Sequence, residues 1–330
     1  MAIRPIRLPQ DIAGLINVTL HAFQYPDHPE WSLQDDEAQA IVEQLRSLRF
    51  FWPVLALAQG GIIPALSDLF RGFIAEEDGV PIGCVFLIRQ GGGQRREVAN
   101  VAVLPEYRRR GIARQLVETT IAFAKKRGAT SLALDVIAGN LPAITLYTSL
   151  GFTRVMDSLT FSHPQDTPVS APPLPAGYSL ADTAITEWRP RYDLARRITP
   201  AEVTALNPVT EDEFRVTSAE RIALSAFAPL SGDRQRQLVV RSPDGAVVAM
   251  VRYIARTRPG GIVYGWPMLD PAHADLAPVL AQTVRHTLRQ QSPGRRLELI
   301  VLDWQQALVG EAQTEGFTLL IRSSKMLKTL

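Results

Sequence analysis

The stretch 98–113 constrains the fold of this chain more than any other part of the sequence. It opens with an alternating apolar pattern, which predicts a strand with one buried face. The strand leads through Leu104-Pro105 into Arg108–Arg110 and Gly111, and an amphipathic helix is predicted to follow. The first N–H groups of a helix have no partner within the helix, and the helix dipole leaves partial positive charge there. The turn therefore predicts an anion site that suits a pyrophosphate.

The composition of this turn excludes two common phosphate-binding loops. A P-loop needs a glycine-rich run that ends in Gly-Lys-Ser or Gly-Lys-Thr, and the turn contains no such run. The dinucleotide fingerprint needs several glycines at fixed spacing, whereas Gly111 stands alone. We therefore expect the anion to be held by helix N–H groups and by the charges of the arginines.

The residues after this turn predict a helix, a strand and a second helix. Apolar residues recur with a period of 3.6, cations occupy Lys125–Arg127 in the last turn, and Gly128 follows as a left-handed stop. A buried strand is predicted from Ser131. Asn140 is then expected to cap a short helix that carries Tyr147 and ends before Gly151-Phe152.

Two motifs in this region together resemble the GNAT N-acetyltransferase family. The first is Arg108-x-x-Gly111-x-Ala113 after a strand, and the second runs from Asn140 through Tyr147 to Gly151-Phe152. The resemblance implies acetyl-CoA as co-substrate, with no metal. It also implies direct transfer of an acetyl group to a primary amine of a small molecule or peptide.

The resemblance also implies roles for particular residues. Tyr147 matches the general-acid position, although it could equally be a packing tyrosine on an amphipathic helix. Glu97 matches a position where some members place a general base, although it could be a surface glutamate beside Arg95 and Arg96. Main-chain groups of the strand would bind the pantetheine arm, and Asn140 could contact the cofactor as well as cap its helix. The predicted cofactor-binding residues are Val101, Ala102, Val103, Arg108, Arg109, Arg110, Gly111, Ile112, Ala113, Arg114 and Asn140.

The two halves of the chain repeat the same pattern. Both contain an Asp-Gly hairpin signal followed at nearly equal distance by Gly-Phe, from Asp78 to Gly151 and from Asp244 to Gly316. The fold class predicted is mixed α/β, with two tandem GNAT-like domains, each a twisted mixed β-sheet flanked by helices. The predicted limits are 1–161 for the first domain, 162–177 for a proline-rich linker and 178–330 for the second domain.

The second copy lacks the residues that would bind the cofactor. Its turn, from Pro271 to Ala277, is two residues shorter than the first, has no glycine, and contains Asp275, which would repel a pyrophosphate. Ala312 stands where the first copy has Tyr147. We therefore interpret the second domain as degenerate. It could complete the acceptor site, stabilise the first domain, or form a subunit interface in a homodimer.

Composition limits the classes of partner and the cellular location that the sequence predicts. The net charge of +2 argues against nucleic acid as an obligate partner. The lone Cys84 excludes an intrachain disulfide and a cysteine-rich zinc site, and no His/Asp/Glu cluster has metal-ligand spacing. The N-terminal sequence has no apolar signal core, and prolines and glycines interrupt the apolar stretch Phe50–Phe70. A cytoplasmic protein without a membrane span is therefore expected.

Other functions stay open at this point. The segment Gln24–Phe70 lies where the family places its acceptor lid, and its aromatic residues could line an acceptor or simply pack. A non-catalytic, coenzyme A-responsive regulatory module is the main alternative to an enzyme. The tandem organisation also resembles mycothiol synthase, which uses its second domain for chemistry, whereas here the intact motif is in the first. A nucleic-acid-binding role for Arg108–Arg110 would need a wider basic surface.

Overall fold

The structure, a computed structural model, describes residues 1–34, 38, 39, 41, 42, 46, 71–89, 93–164, 169–216, 233–256 and 262–330. The chain divides into two compact units. The first comprises Met1–Arg154 together with Lys325–Leu330, and the second comprises Val155–Ser324. The predicted domain limits, 1–161 and 178–330, were drawn from a repeat in the sequence, whereas the two units are defined by contacts in the structure. The predicted limits therefore stay a prediction.

The first unit is a mixed sheet with described helices on both faces. Its strands, in their order across the sheet, are β1 (Ala2–Pro5), β2 (Arg71–Glu77), β3 (Val80–Arg89), β4 (Arg95–Val103), β5 (Ser131–Ile137) and the end of β12 (Thr318–Thr329). Its helices are α1 (Ile12–Ala22), α2 (Ile112–Lys126) and α3 (Leu141–Ser149). Neighbours from β1 to β4 are antiparallel, whereas β4 and β5 are parallel.

Alternation along the strands divides the apolar side chains of the first unit between two faces. On β2, Phe73 and Ala75 belong to the core under α2, whereas Ile74 belongs to the core under α1. On β3, Val85 and Cys84 divide in the same way. The sheet is therefore buried on both sides, and burial raises the pKa of the Cys84 thiol to about 12.

The local predictions for this unit are confirmed. Asp78 and Gly79 both have positive φ, at 51° and 78°, as a tight hairpin between β2 and β3 requires. Helix α2 ends before Gly128, whose φ is 74° and whose N–H donates to the carbonyl of Lys125. The Oδ1 atom of Asn140 accepts the N–H of Ala143 at 3.2 Å, so Asn140 caps α3.

The last strand contributes to both units. β12 begins in the second unit and supplies its final residues to the first. There the N–H of Leu330 donates to the carbonyl of Thr130, and the ammonium of Lys325 lies 3.0 Å from Asp135. Met326 is buried in the core of the first unit. The repeat alone did not predict this contribution of the C-terminal residues.

The second unit also has a mixed sheet flanked by helices. Its remaining strands are β6 (Thr153–His163), β7 (Ser179–Ala184), β8 (Asp233–Arg241), β9 (Val247–Arg256), β10 (Val263–Leu269) and β11 (Leu297–Leu302). They are ordered β6-β11-β10-β9-β8-β7, with β10 parallel to β11. Its described helices are α4 (Arg189–Ile198), α5 (Ala201–Leu206), α6 (Glu211–Phe214), α7 (Ala277–Gln291) and α8 (Gln306–Thr314).

Each unit therefore has the predicted mixed α/β fold. The predicted second hairpin joins β8 to β9, with Gly245 at a φ of 85°. Within the predicted linker, the described residues 169–177 form neither helix nor strand, and Leu174 packs against the core of the second unit. Across the described parts of the chain, no helix has the length and apolar character that crossing a membrane requires.

Candidate active site

The parallel strands β4 and β5 separate after only three paired residues. The register pairs 95–97 of β4 with 131–133 of β5 and then stops, although both strands continue. From Val98 to Val103, β4 keeps its pairing with β3, and no described strand pairs with it on the β5 side. A cleft therefore opens along one edge of β4, beside the main chain of the predicted site.

A β-bulge at Asn100 lies in the part of β4 that is paired with β3 but not with β5. The register of β3 and β4 shifts between Cys84 and Phe86, and Asn100 adopts a φ of 51°. A bulge bends its strand and increases the local twist. The Asn100 amide donates to the Thr19 hydroxyl at 3.1 Å, which ties α1 to the bulge. Sequence reasoning missed this residue, although an asparagine inside an apolar strand pattern is a recognisable signal for left-handed backbone.

The direction of the main-chain groups on β4 follows from the pairing with β3. The N–H of Leu104 donates to the carbonyl of Ile82 on β3 at 3.0 Å. Alternate residues of an antiparallel strand direct their N–H groups to opposite sides. Val103 and Val101 therefore direct their N–H groups into the cleft, whereas Ala102 pairs with β3. This is the arrangement in which a strand edge can bind an extended ligand.

The turn after β4 presents a row of main-chain donors. Within the part of the chain that the structure describes, the N–H groups of Arg109–Arg114 have no hydrogen-bond acceptor. Arg109 and Gly111 have left-handed φ values of 64° and 77°, which fold the turn back on itself at the start of α2. A Cβ placed on Gly111 would meet no atom within 4 Å, so space is open in front of the turn. Successive N–H groups of this kind, at a helix start, form an anion site.

The arginines of the turn have different partners. Arg108 donates its guanidinium to the carbonyl of Ala22 at 2.8 Å and to that of Val103 at 3.3 Å, and its N–H donates to Pro105. Arg110 lies over the ring of Tyr107, whereas Arg114 donates to the Ser149 hydroxyl at 2.6 Å. All three basic side chains of the run Arg108–Arg110 are exposed. Arg108 thus holds the turn against the end of α1, and its predicted contact with the cofactor stays a prediction.

Tyr147 lies on α3 with its ring in the core of the first unit. It is buried against Phe152, with ring centroids 6.0 Å apart. Burial raises the pKa of its phenol, and the nearby Tyr25 raises it further. Its hydroxyl has no hydrogen-bond partner in the described residues. Tyr147 therefore stays protonated at neutral pH and has a donor available.

Glu97 is the last residue of β4 that is paired with β5. It lies beside Ala133 in the register and is largely buried. Burial raises the pKa of Glu97 above its ordinary value, Asp135 raises it further, and Lys325 opposes the rise. The glutamate is therefore a better match for a proton acceptor near neutral pH than an exposed one.

Aromatic residues of the predicted acceptor segment pack together near the start of α3. Trp31 stacks on His28 at 3.8 Å and meets Tyr25 edge-on at 5.8 Å. A Cβ on Gly139 would lie 2.6 Å from the Trp31 ring, so the close approach of the indole requires a glycine there. The other aromatic residues predicted for this segment, Phe50, Phe51 and Trp52, lie outside the described residues.

In the second unit, the strand equivalent to β4 offers different main-chain donors. β10 pairs with β11 only over 263–265, so the strands separate as they do in the first unit. The position equivalent to Val101 is Pro267, which has no N–H. The N–H equivalent to that of Val103 belongs to Leu269, and it donates to Oε1 of the buried Gln305 at 3.0 Å. Both outward donors of the first unit are therefore absent or satisfied in the second.

The sequence model of the acetyltransferase (GNAT) family matches residues 27–152. A [ribosomal protein bS18]-alanine N-acetyltransferase of Escherichia coli is 51% identical over 55 residues, which are 17% of this chain and 37% of that enzyme. N-alpha-acetyltransferase 30 of Schizosaccharomyces pombe is 33% identical over 85 residues, covering 25% of this chain and 57% of that protein. The chain thus spans between about a third and three fifths of the length of these curated relatives.

Two solved structures match nearly the whole chain. A tandem GNAT protein from the clavulanic acid biosynthesis pathway superposes with a TM-score of 0.61 at 18% identity, covering 99% of this chain and 98% of that one. A GCN5-related N-acetyltransferase from Sphaerobacter thermophilus gives 0.62 at 17% identity, covering 99% and 95%. At these identities the likeness shows the fold, which is that of tandem GNAT domains.

Residues 27–152 thus match the acetyltransferase (GNAT) family, and the whole chain has the fold of a tandem GNAT protein. The predicted resemblance to the GNAT family is confirmed for residues 27–152, and the predicted tandem GNAT fold is confirmed for the chain. Among the described residues, no group of three or more His, Cys, Asp or Glu side chains could hold a metal ion.

Replacing Arg108 by methionine tests its role in holding the turn. Arg108→Met removes two hydrogen bonds from a charged donor to main-chain carbonyls, so we expect a loss of about 1–3 kcal/mol in the free energy of unfolding. Arg109→Met removes the same charge from an exposed side chain that has no partner in the described chain. That control should change the stability by less than ~0.5 kcal/mol. Urea unfolding of both variants makes the comparison, and equal losses would contradict the assigned role.

Proposed function

We propose that this protein is an acetyl-CoA-dependent N-acetyltransferase whose first unit transfers an acetyl group directly to a primary amine of a small molecule or peptide. The observation that carries the proposal is the alignment of two sets of free donors on the first unit. The N–H groups of Val101 and Val103 face the cleft beside β4, and those of Arg109–Arg114 follow at the start of α2.

The two sets of donors suit the two ends of coenzyme A. The Arg109–Arg114 turn would bind the pyrophosphate, with Gly111 leaving room for its close approach. The outward N–H groups of Val101 and Val103 would pair with the pantetheine amides and polarise the thioester carbonyl, as an added strand pairs with a sheet edge. The Oδ1 atom of Asn140 already accepts a hydrogen bond as the cap of α3. The side-chain nitrogen of Asn140 would therefore be the group that contacts the cofactor.

Transfer requires that a C–N bond forms, the C–S bond breaks, and two protons move. An alkylammonium with a pKa near 10.4 loses its proton at pH 7 at a cost of roughly 4.6 kcal/mol. Glu97 would accept that proton. Because Glu97 lies four residues before Val101, roughly 13 Å along an extended strand, the proton would pass through water. Tyr147 would donate its proton to the departing sulfur, since its hydroxyl is protonated at neutral pH, and the second proton lost by the amine nitrogen would then restore it.

The acceptor is proposed only as a class. The Escherichia coli relative is named for the N-acetylation of an alanine of a ribosomal protein, which favours testing peptide amines beside small amines. The half-buried Tyr25 and Trp31 would offer an apolar wall to such an acceptor. We propose that the second unit binds no coenzyme A, because Pro267 and Gln305 remove the two strand donors that the first unit offers.

A pair of matched glycine variants tests cofactor binding. Gly111 and Gly128 stand at opposite ends of α2, have φ values of 77° and 74°, and leave equally open space around a Cβ. Alanine at either position should cost a similar amount of stability, about 1–2 kcal/mol. Only Gly111→Ala disturbs the donors of the turn, so it alone should weaken acetyl-CoA binding, by about tenfold or more.

Titration calorimetry measures both dissociation constants. Equal weakening by the two variants would mean that the effect comes from lost stability, and no weakening by either would remove the turn from the site. Intact binding without transfer to any amine in a screen would favour the coenzyme A-responsive regulatory module over the enzyme.

The pH dependence of turnover tests Glu97 as the base. A base must be deprotonated, so kcat/KM should fall as the pH drops through a pKa above the ordinary value of a glutamate. Glu97→Gln should lower kcat by about 100-fold or more, remove this acidic limb, and leave acetyl-CoA binding intact. Glu202→Gln, at an exposed position on α5, is the control. An unchanged pH profile in Glu97→Gln would assign the base elsewhere.

A further inference from the structure

Three polar or aromatic residues lie side by side across the sheet of the second unit. Gln237 on β8 is paired with Arg252 on β9, which is paired in turn with Trp266 on β10. Direct partners on neighbouring strands share one face of a sheet. Two residues further along, Val239 and Met250 share this face and pack against α4. The row formed by Gln237, Arg252 and Trp266 therefore lies on the face of the sheet that α4 covers.

Arg191 reaches the same row from α4. Its Nη1 atom lies 3.5 Å from Oε1 of Gln237, and its Nη2 donates to the carbonyl of Phe214 at 3.1 Å. The Gln237 side chain is fully buried and is fixed from its other end, because Nε2 donates to the carbonyl of Glu187 at 2.6 Å and to the Thr183 hydroxyl at 3.2 Å. Gln237 thus points its acceptor toward Arg191 and away from bulk solvent.

Arg252 has no hydrogen-bond acceptor among the described residues. Its guanidinium carbon lies 4.1 Å from the centre of the Trp266 ring, which supports one face of the guanidinium. Stacking does not satisfy the N–H groups at the edge of the guanidinium. Neither Arg252 nor Arg191 has a carboxylate partner in the part of the chain that the structure describes.

Arg191 and Arg252 differ from several other arginines of the second unit, because they have no carboxylate partner among the described residues. Burial lowers the pKa of both, and the positive charge of Arg252 lowers that of Arg191 further, to about 10. Two neighbouring cations taken out of water without an anion are costly to fold. Four other arginines of the unit are each paired with a carboxylate. Those pairs are Arg197 with Asp270, Arg236 with Asp182, Arg285 with Glu315 and Arg322 with Asp157.

We propose that Arg191 and Arg252 form a binding site in the second unit for a small oxyanion, the carboxylate or phosphate group of a ligand. A guanidinium pairs with either group through two parallel N–H donors, and two guanidinium groups could clamp one anion. Trp266 orients Arg252 by stacking, and Gln237 orients Arg191 by accepting from it. The anion would supply the missing negative charge, so this site gives the second unit a binding role that is separate from coenzyme A.

Thermal unfolding of the full chain with and without oxyanions tests the site. Sodium phosphate and sodium succinate are compared with sodium chloride at equal ionic strength, which separates the two ligand classes from general screening. At least one oxyanion should raise the Tm by about 2–4 °C at saturation. Arg252→Met removes the charge and leaves an unbranched apolar side chain in its place. This variant should be more stable than the wild type without oxyanion, and it should lose the response.

Arg234→Met is the matched control, because Arg234 is exposed on β8 and has no partner in the described chain. It removes one charge from the same sheet and should keep the wild-type response. A response to phosphate alone, to succinate alone or to both supports the site and identifies its ligand class. A response that persists in Arg252→Met, or that is absent in the wild type, overturns the proposal. So does a loss of the response in both variants.

Discussion

The separation of β4 from β5 after Glu97 is the constraint on which the rest of the first unit depends. Main-chain N–H groups that leave a strand pairing must find another partner, since an unsatisfied buried donor costs about 1–3 kcal/mol. On β4, the outward N–H groups of Val101 and Val103 have no acceptor among the described residues. The bulge at Asn100 lies where the strands part, and the turn held by Arg108 continues the row of donors onto α2.

The second unit shows the same separation with the donors satisfied. Its strands β10 and β11 part after Gly265, but Pro267 has no N–H and Gln305 accepts the N–H of Leu269. The second unit thus keeps the fold, but the main-chain donors along this strand edge are absent or already hydrogen-bonded. Satisfying these groups favours stability, whereas leaving them free favours binding, and the two units differ in this balance. Among the described residues of the second unit, Arg191 and Arg252 have no carboxylate partner, and Arg252 stacks on Trp266.

The sequence predicted the parts of the site that local chemistry determines. Gly128 was identified because glycine adopts a left-handed φ freely, Gly111 because it stands in the turn before a helix and allows close backbone approach, and Asn140 because its side chain caps a helix. The bulge at Asn100 was missed, because one residue type in a strand pattern does not reveal a shift of register. The contact of Gln305 with Leu269 joins residues that are distant in sequence, so only the fold brings them together. The contact of Arg108 with the main-chain carbonyl of Ala22 on α1 was hidden for the same reason, and the run of arginines predicted charge without predicting its use.

Counting the coenzyme A sites tests the central claim most directly. The claim is that free outward donors on a parted strand, rather than the GNAT fold itself, make a site. Titration calorimetry of the full chain with acetyl-CoA should give one site per chain. Two sites per chain would contradict the account, because the second unit would then bind the cofactor despite Pro267 and Gln305. No binding would contradict it as well, since the donors of Val101, Val103 and the turn would then have no ligand.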